Sequence, residues 1–156
     1  MNVNRKGDKI APHKAIMLLT IIELIERGIL TEPFIPLSDE LVKTFNNIWE
    51  INVPATSPFS CKISYPFFHL QTSPFWELVK SPTYIGRKEY SSVASLRHDF
   101  IGAKIDNTLF QYLSLSDVRD EIRLLLKEYY LSRPSTRTNT CKLGLLTFLS
   151  LICSVA

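Results

Sequence analysis

The chain predicts one mainly α domain with a small β hairpin, in a winged-helix-like arrangement. Three observations carry this. The stretch Ala15–Leu24 is apolar on most of a helix circumference, between a proline-led start and a glycine stop. Residues 38–49 and 116–131 repeat apolar side chains at helical spacing. Two short aromatic-rich runs, Phe67–Leu70 and Phe75–Val79, are joined by Gln71–Pro74, which has the form of a hairpin or wing. With 156 residues, 46% hydrophobic and 21% charged, the chain has the length and composition of one globular domain with its own core.

Taken in order, residues 1–10 read as a basic, flexible lead-in. A helix follows from Pro12 to Arg27, with proline in its first turn, where a missing N–H costs nothing, and Gly28 as its stop. Ala15, Ile16, Leu18, Leu19 and Ile22 make it the centre of the expected core. Ser38 is an N-cap with Asp39 and Glu40 behind it, so a second helix runs to about Trp49 and buries Leu41, Val42, Phe45 and Trp49. Residues 50–64, with Pro54 and Pro58, read as a loop. After the hairpin comes a basic connection, 80–91, then helical segments at Ser91–Asp99 and Asp106–Leu113. A last helix runs from Ser116 or Asp117 to about Leu131. The domain is therefore 1–131. Residues 132–156 form a polar linker and a short apolar segment, Leu143–Ala156. That segment is short of the ~18–20 residues of a membrane span, and its ranking is packed segment first, foreign tail second, membrane anchor last.

The net charge is +3, and residues 1–131 hold equal numbers of basic and acidic side chains. Any anion-binding surface is then a local patch on a neutral body. Cys61, Cys141 and Cys153 form no Cys-x-x-Cys pair, and the polar stretch Met1–Lys9 does not have the pattern of a secretory leader. The expectation is a cytoplasmic protein with reduced thiols and no membrane partner. His13, His69 and His98 show no metal-ligand spacing, and neither a nucleophile elbow nor a phosphate-cradling glycine loop is present. No catalytic residue, metal or cofactor is expected.

Two segments stand out. Ala11-Pro12-His13-Lys14 places two cationic-capable side chains at a helix start, where the backbone N–H groups welcome an anion. A lysine there opposes the helix dipole, a cost of a few tenths of a kcal/mol that a bound anion would offset. Ordinary solvation of a helix end accounts for the same residues about as well. The wider basic candidates are Arg5, Lys6, Lys9, Arg87, Lys88 and Arg97, against which stands a plain exposed loop. The second segment is Tyr65-Pro66-Phe67-Phe68-His69-Leu70 with Phe75-Trp76-Glu77-Leu78. On the residues alone, Tyr65-Pro66 is more simply the entry to a core strand, and the rings more often fill a core than stack on bases.

Together these two segments resemble the DNA sulfur-binding domain of McrA-like, HNH-type type IV restriction endonucleases, which recognise phosphorothioate-modified DNA. The resemblance spans about Arg5 to Leu131, including the late leucine-rich helix that ends in an aromatic pair. It implies binding of double-stranded DNA carrying a backbone phosphorothioate, with the sulfur in a shallow apolar recess beside basic residues. His13 and Lys14 would form the basic side, Tyr65 and Pro66 the apolar side, with His69 beside them. The family often has arginine where Lys14 stands, so a bidentate phosphate contact is not carried over. The family's base-reading arginine lies beyond the hairpin, and Arg87, Lys88 and Arg97 are the candidates for it; Arg5, Lys6 and Lys9 would add backbone contacts.

Sulfur is more polarisable and more weakly hydrated than oxygen, so resting it on a proline ring costs little desolvation. An oxygen anion there would lose hydrogen bonds to water. Nothing in the sequence supplies an HNH nuclease, so the expectation is a recognition module, monomer or weak dimer, not itself an enzyme, served by a nuclease domain or protein in trans. The alternatives are a general winged-helix-like double-stranded DNA-binding module, a small metal-free enzyme using His13 or His69 with a carboxylate, and an interaction domain using the aromatic run. The first of these differs from the sulfur reading in whether Pro66 faces solvent beside Lys14 or lies in the core.

Overall fold

The computed structural model describes Arg5–Lys6 and residues 9–128, with side chains from Ala11 onward. The expected end of the last helix at Leu131, Cys141, Cys153 and the segment Leu143–Ala156 lie outside the described residues. The expected lead-in carries a short antiparallel pair, β1 (Arg5–Lys6) and β2 (Lys9–Ile10), directly ahead of the first helix.

Helix α1 (His13–Glu26) is apolar nearly all round, and every residue from Ala15 to Ile22 is buried, as is Leu24. Such a helix must be covered on every side, and it forms the axis of the core. The carbonyl of Pro12 accepts the first helical bond, from Ile16 N at 2.9 Å. At the far end Gly28 adopts φ +68, and the N–H groups of Ile29 and Leu30 turn back to the Leu24 carbonyl. Helix α2 (Asp39–Asn52) begins as expected: Ser38 Oγ accepts from Leu41 N at 3.1 Å, with two acids in the first turn. It runs a turn beyond Trp49 and buries Leu41, Thr44, Phe45 and Trp49, while Val42 is only partly covered. A loop then leads to α3 (Ser64–His69), which tightens into a 3₁₀ turn at Leu70–Thr72.

Here the sequence expectation fails. The run Phe67–Leu70 is not the first strand of a hairpin; it is helical. Burial follows the helical period, at Ile63, Phe67 and Leu70, not the alternation of a strand. Pro66 is tolerated because it lies in the first turn, where its nitrogen owes no hydrogen bond. The Trp76 indole N–H then donates to the Phe67 carbonyl at 3.0 Å, fastening the following strand to the helix.

That strand, β4 (Trp76–Lys80), finds its partner about twenty residues later. After α4 (Val93–Asp99), capped by Ser92, the chain enters β5 (Phe100–Ile105). β5 is the central strand of a three-stranded antiparallel sheet in the order β3-β5-β4, where β3 is Phe34–Pro36. The register pairs Ile35 with Ala103 and Leu78 with Ala103. Two short helices close the described chain: α5 (Asn107–Leu113), capped by Asp106, and α6 (Ser116–Leu126), which packs on α1 and ties Arg123 to Glu26. The coarse expectation of a mainly helical chain with a small antiparallel β element holds. Among the described residues no helix is long and apolar enough to cross a membrane.

Gly102 marks the tightest point of the sheet. A Cβ there would lie 2.5 Å from the Ile35 carbonyl oxygen and 2.7 Å from the Phe34 ring, and the carbonyl belongs to a paired strand that cannot retreat. Gly102→Ala is expected to cost about 1–3 kcal/mol, read as a lowered midpoint in urea unfolding. A variant as stable as the parent would contradict this packing.

Candidate functional site

The N-terminal turn of α1 emerges between α2, the loop 53–63 and α3. The His13 ring lies against Trp49, centroids 4.7 Å apart, and meets the edges of Phe59 and Tyr65 at 6.0 Å each. Its Nε2 is 2.9 Å from the Ser60 carbonyl oxygen. A carbonyl can only accept, so the ring donates to it. Burial pushes the His13 pKa below its ordinary 6.5, and the Ser60 carbonyl opposes that in part. α1 starts without a side-chain cap and without an acid in its first turn.

Lys14, half-buried beside His13, has its pKa lowered by burial. His69 at the end of α3 is lowered first by burial, then by the charge of Lys14, with Glu89 acting the other way. Tyr65, 37% exposed, carries Lys62 on its outer side: Nζ donates to the phenol oxygen at 3.4 Å and stands 5.2 Å from the ring centre. His13, Lys14, Tyr65 and His69, the residues that the resemblance groups, thus lie where α1 packs on α3. Trp49, Phe59, Ser60 and Lys62 belong to the same surface and were not read from the sequence. Lys62 is three residues before Tyr65, a spacing that becomes informative only once residues 64–69 are helical.

Pro66 departs from the expectation. It is buried in α3, not an exposed shelf beside Lys14, and could supply only the floor of a recess. The exposed apolar surface there is the Tyr65 ring.

Two of the basic loop candidates are also committed elsewhere. Arg87 Nη1 lies 2.6 Å from Asp99 Oδ1, and Asp99 is 0% exposed. Tyr90 donates to the other carboxylate oxygen at 2.7 Å, and His98 Nδ1 is 2.6 Å from the first. Burial tends to raise the Asp99 carboxyl, but His98, Tyr90 and Arg87 outweigh it and hold it down to about 2. Burial and the same carboxylate push Tyr90 up to about 12. Arg97 donates to the Leu37 carbonyl at 2.8 Å and to Asp39 at 2.7 Å, joining α4 to the start of α2. Both arginines are structural ties; Lys88 remains exposed in the loop. The Asp99 cluster nevertheless bears on the site. It fixes the loop 81–92, whose Tyr90 packs on Phe68 of α3 at 4.7 Å, next to His69. Of Arg5, Lys6 and Lys9, the backbone lies in the β1–β2 pair ahead of α1.

Other chemistry finds less support. The hydrogen-bond partner of His13 is a carbonyl rather than a carboxylate, and no metal-holding cluster occurs among the described residues. A groove of about 250 Å³, lined by Leu24, Leu30, Phe34 and Leu41 among others, lies at the C-terminal end of α1. By helix rise that is roughly 20 Å from His13. No protein-family model matches the chain, and no curated protein matches it.

Asp99→Asn is expected to release the loop 81–92, lowering Tm on the order of 10 °C and speeding amide exchange there first. The sign with pH follows from the depressed carboxyl. Its contribution is whole above the ordinary value of 3.8 and is lost as pH falls toward about 2. Loop amides that exchange no faster at pH 2.5 than at pH 5, after correction for intrinsic rates, would contradict this anchor.

Proposed function

We propose that this protein binds double-stranded DNA through a backbone phosphorothioate, seated where the first turn of α1 meets α3. The observation that carries this reading is the single surface formed by His13, Lys14, Tyr65 and His69, in which His13 meets the Tyr65 ring, the Lys14 charge acts on His69 and Lys62 stands over the Tyr65 ring. A phosphorothioate diester asks for both: positive charge for its anion and a polarisable, weakly hydrated wall for its sulfur. Lys62 and Lys88, both exposed, would extend the electrostatic footprint along the duplex, with Arg5, Lys6 and Lys9 ahead of α1. The protein on this reading is a recognition module of a modification-dependent restriction system, with cleavage left to a nuclease in trans. Its architecture is winged-helix-like, the small antiparallel sheet flanking the helices.

A second reading, general duplex binding without sulfur preference, has one observation in its favour: Pro66 is buried, which leaves less apolar wall for sulfur. A gel-shift titration at fixed salt, with one duplex bearing or lacking a single backbone phosphorothioate, separates the two. The sulfur duplex is expected to bind roughly ten- to a hundredfold tighter, the range of a one-group difference in a pocket. Tyr65→Ala is expected to erode that preference, whereas Lys14→Ala weakens both duplexes and lowers the salt slope by about one. Equal binding would favour the second reading, and no binding to either duplex would remove nucleic acid from the account.

A further inference from the structure

We infer that DNA binding at this site is coupled to the uptake of one proton by His13, so that affinity is set by pH near neutrality. This rests on the anion-binding reading above. The argument begins with the Ser60 carbonyl, 2.9 Å from the His13 ring nitrogen. A neutral imidazole has one N–H and one bare nitrogen. The carbonyl takes the one N–H, whichever ring nitrogen faces it. The nitrogen left over carries a lone pair and repels an anionic oxygen or sulfur. It becomes a donor only when a proton from water is added. An anion seated at His13 therefore brings a proton with it, or gains nothing from this side chain.

The surroundings of the free ring favour its neutral form. Trp49 covers one side from α2, Phe59 closes from the loop 53–63, and Tyr65 meets it from α3. Among the described residues, the titratable groups of the neighbourhood are Lys14 on α1 itself and Lys62 against Tyr65, both cations, with His69 of α3 and Glu89 of the loop 81–92 beyond Lys14, and Glu50, next to Trp49 on α2, acting on the Cys61 thiol beside Ser60. The influences on His13 are burial and the Ser60 carbonyl, and burial is the larger. A bound anion would bring a negative charge against the ring, and it would favour the imidazolium. Lys14 cannot play this part. Burial lowers its pKa too, but from an ordinary value of 10.5, well above the range where an imidazole titrates.

The test is a titration of the phosphorothioate duplex with the full chain from pH 5.5 to 8 at constant ionic strength, in the parent, His13→Gln and His69→Gln. Parent affinity is expected to fall about tenfold from pH 6 to pH 7.5, approaching one proton per complex. His13→Gln is expected to be about tenfold weaker than the parent at pH 6 and to lose the parent's slope with pH. In His69→Gln the pH dependence should persist. A second readout needs no variant: the His13 ring nitrogens, followed by NMR at pH 7.5, should pass from the neutral to the doubly protonated pattern when duplex is added. Tight binding that is flat with pH, or a His13 ring that stays neutral in the complex, would overturn the proton linkage while leaving DNA binding intact. A slope lost in His69→Gln but kept in His13→Gln would reassign the proton and overturn the inference. Absence of binding at every pH would overturn both readings together.

Discussion

A helix with eight consecutive buried residues imposes its terms on everything around it. From Ala15 to Ile22, α1 offers no face to water, and even Thr20 is satisfied internally, its hydroxyl donating to the Ile16 carbonyl at 2.7 Å. The chain has to supply cover on every side, and α2, α3, α6 and the sheet are that cover. Each fully buried leucine, isoleucine or phenylalanine contributes roughly 1.5–3 kcal/mol of transfer free energy, so the arrangement of layers around α1 is the strongest energetic preference in the molecule. One consequence is functional. With the body of α1 enclosed, polar side chains reach the surface at its two ends, Glu23 and Glu26 at one and His13 and Lys14 at the other, where α3 sets Tyr65 and His69 beside them.

The allocation of charge follows the same logic. Every arginine whose side chain is described is tied within the fold: Arg27 to Glu40, Arg87 to Asp99, Arg97 to Asp39, Arg119 to the carbonyls closing α5, and Arg123 to Glu26. The planar fork of arginine suits such fixed multi-point ties. The side chains at the candidate site are lysines and histidines, with His13 bonded to the Ser60 carbonyl and Lys62 to the Tyr65 phenol. A lysine is a compact point charge without a preferred bidentate geometry, so on the proposed reading a surface built from Lys14, Lys62 and two imidazoles would select its ligand by charge and by the softness of the aromatic wall. That fits an anion in which one oxygen has been exchanged for sulfur better than a site that counts paired oxygens.

Much of this was legible in the residues. Proline before α1, Gly28 after it, Ser38 with two acids behind it and Asp106 before α5 each act within one turn of chain, and each did what its chemistry requires. The run Phe67–Leu70 was misread because aromatic composition favours a strand, whereas burial at Ile63, Phe67 and Leu70 answers to the packing against α1; the second run forms a strand as expected, Trp76–Lys80, but pairs with β5. β3 and β5 are short, and their pairing is a contact between distant segments that no local pattern announces. The roles of Arg87 and Arg97 were hidden for the same reason. Their partners Asp99, Leu37 and Asp39 lie 12, 60 and 58 residues away, and a cation in a loop looks alike in sequence whether it faces a phosphate or a buried carboxylate. The pairing of His13 with Tyr65 was reached through the resemblance of two motifs, and spacing alone would not have joined them.

The central claim is that the junction of α1 with α3 is where the duplex is held. Its most direct test is amide chemical-shift mapping of the isotope-labelled protein as a phosphorothioate duplex is added. The account predicts that the largest early changes fall on residues 13–15 and 62–69, with smaller ones at Lys88 and Glu89. Changes concentrated on α5 and α6, with residues 13–15 and 62–69 unmoved at saturation, would contradict it.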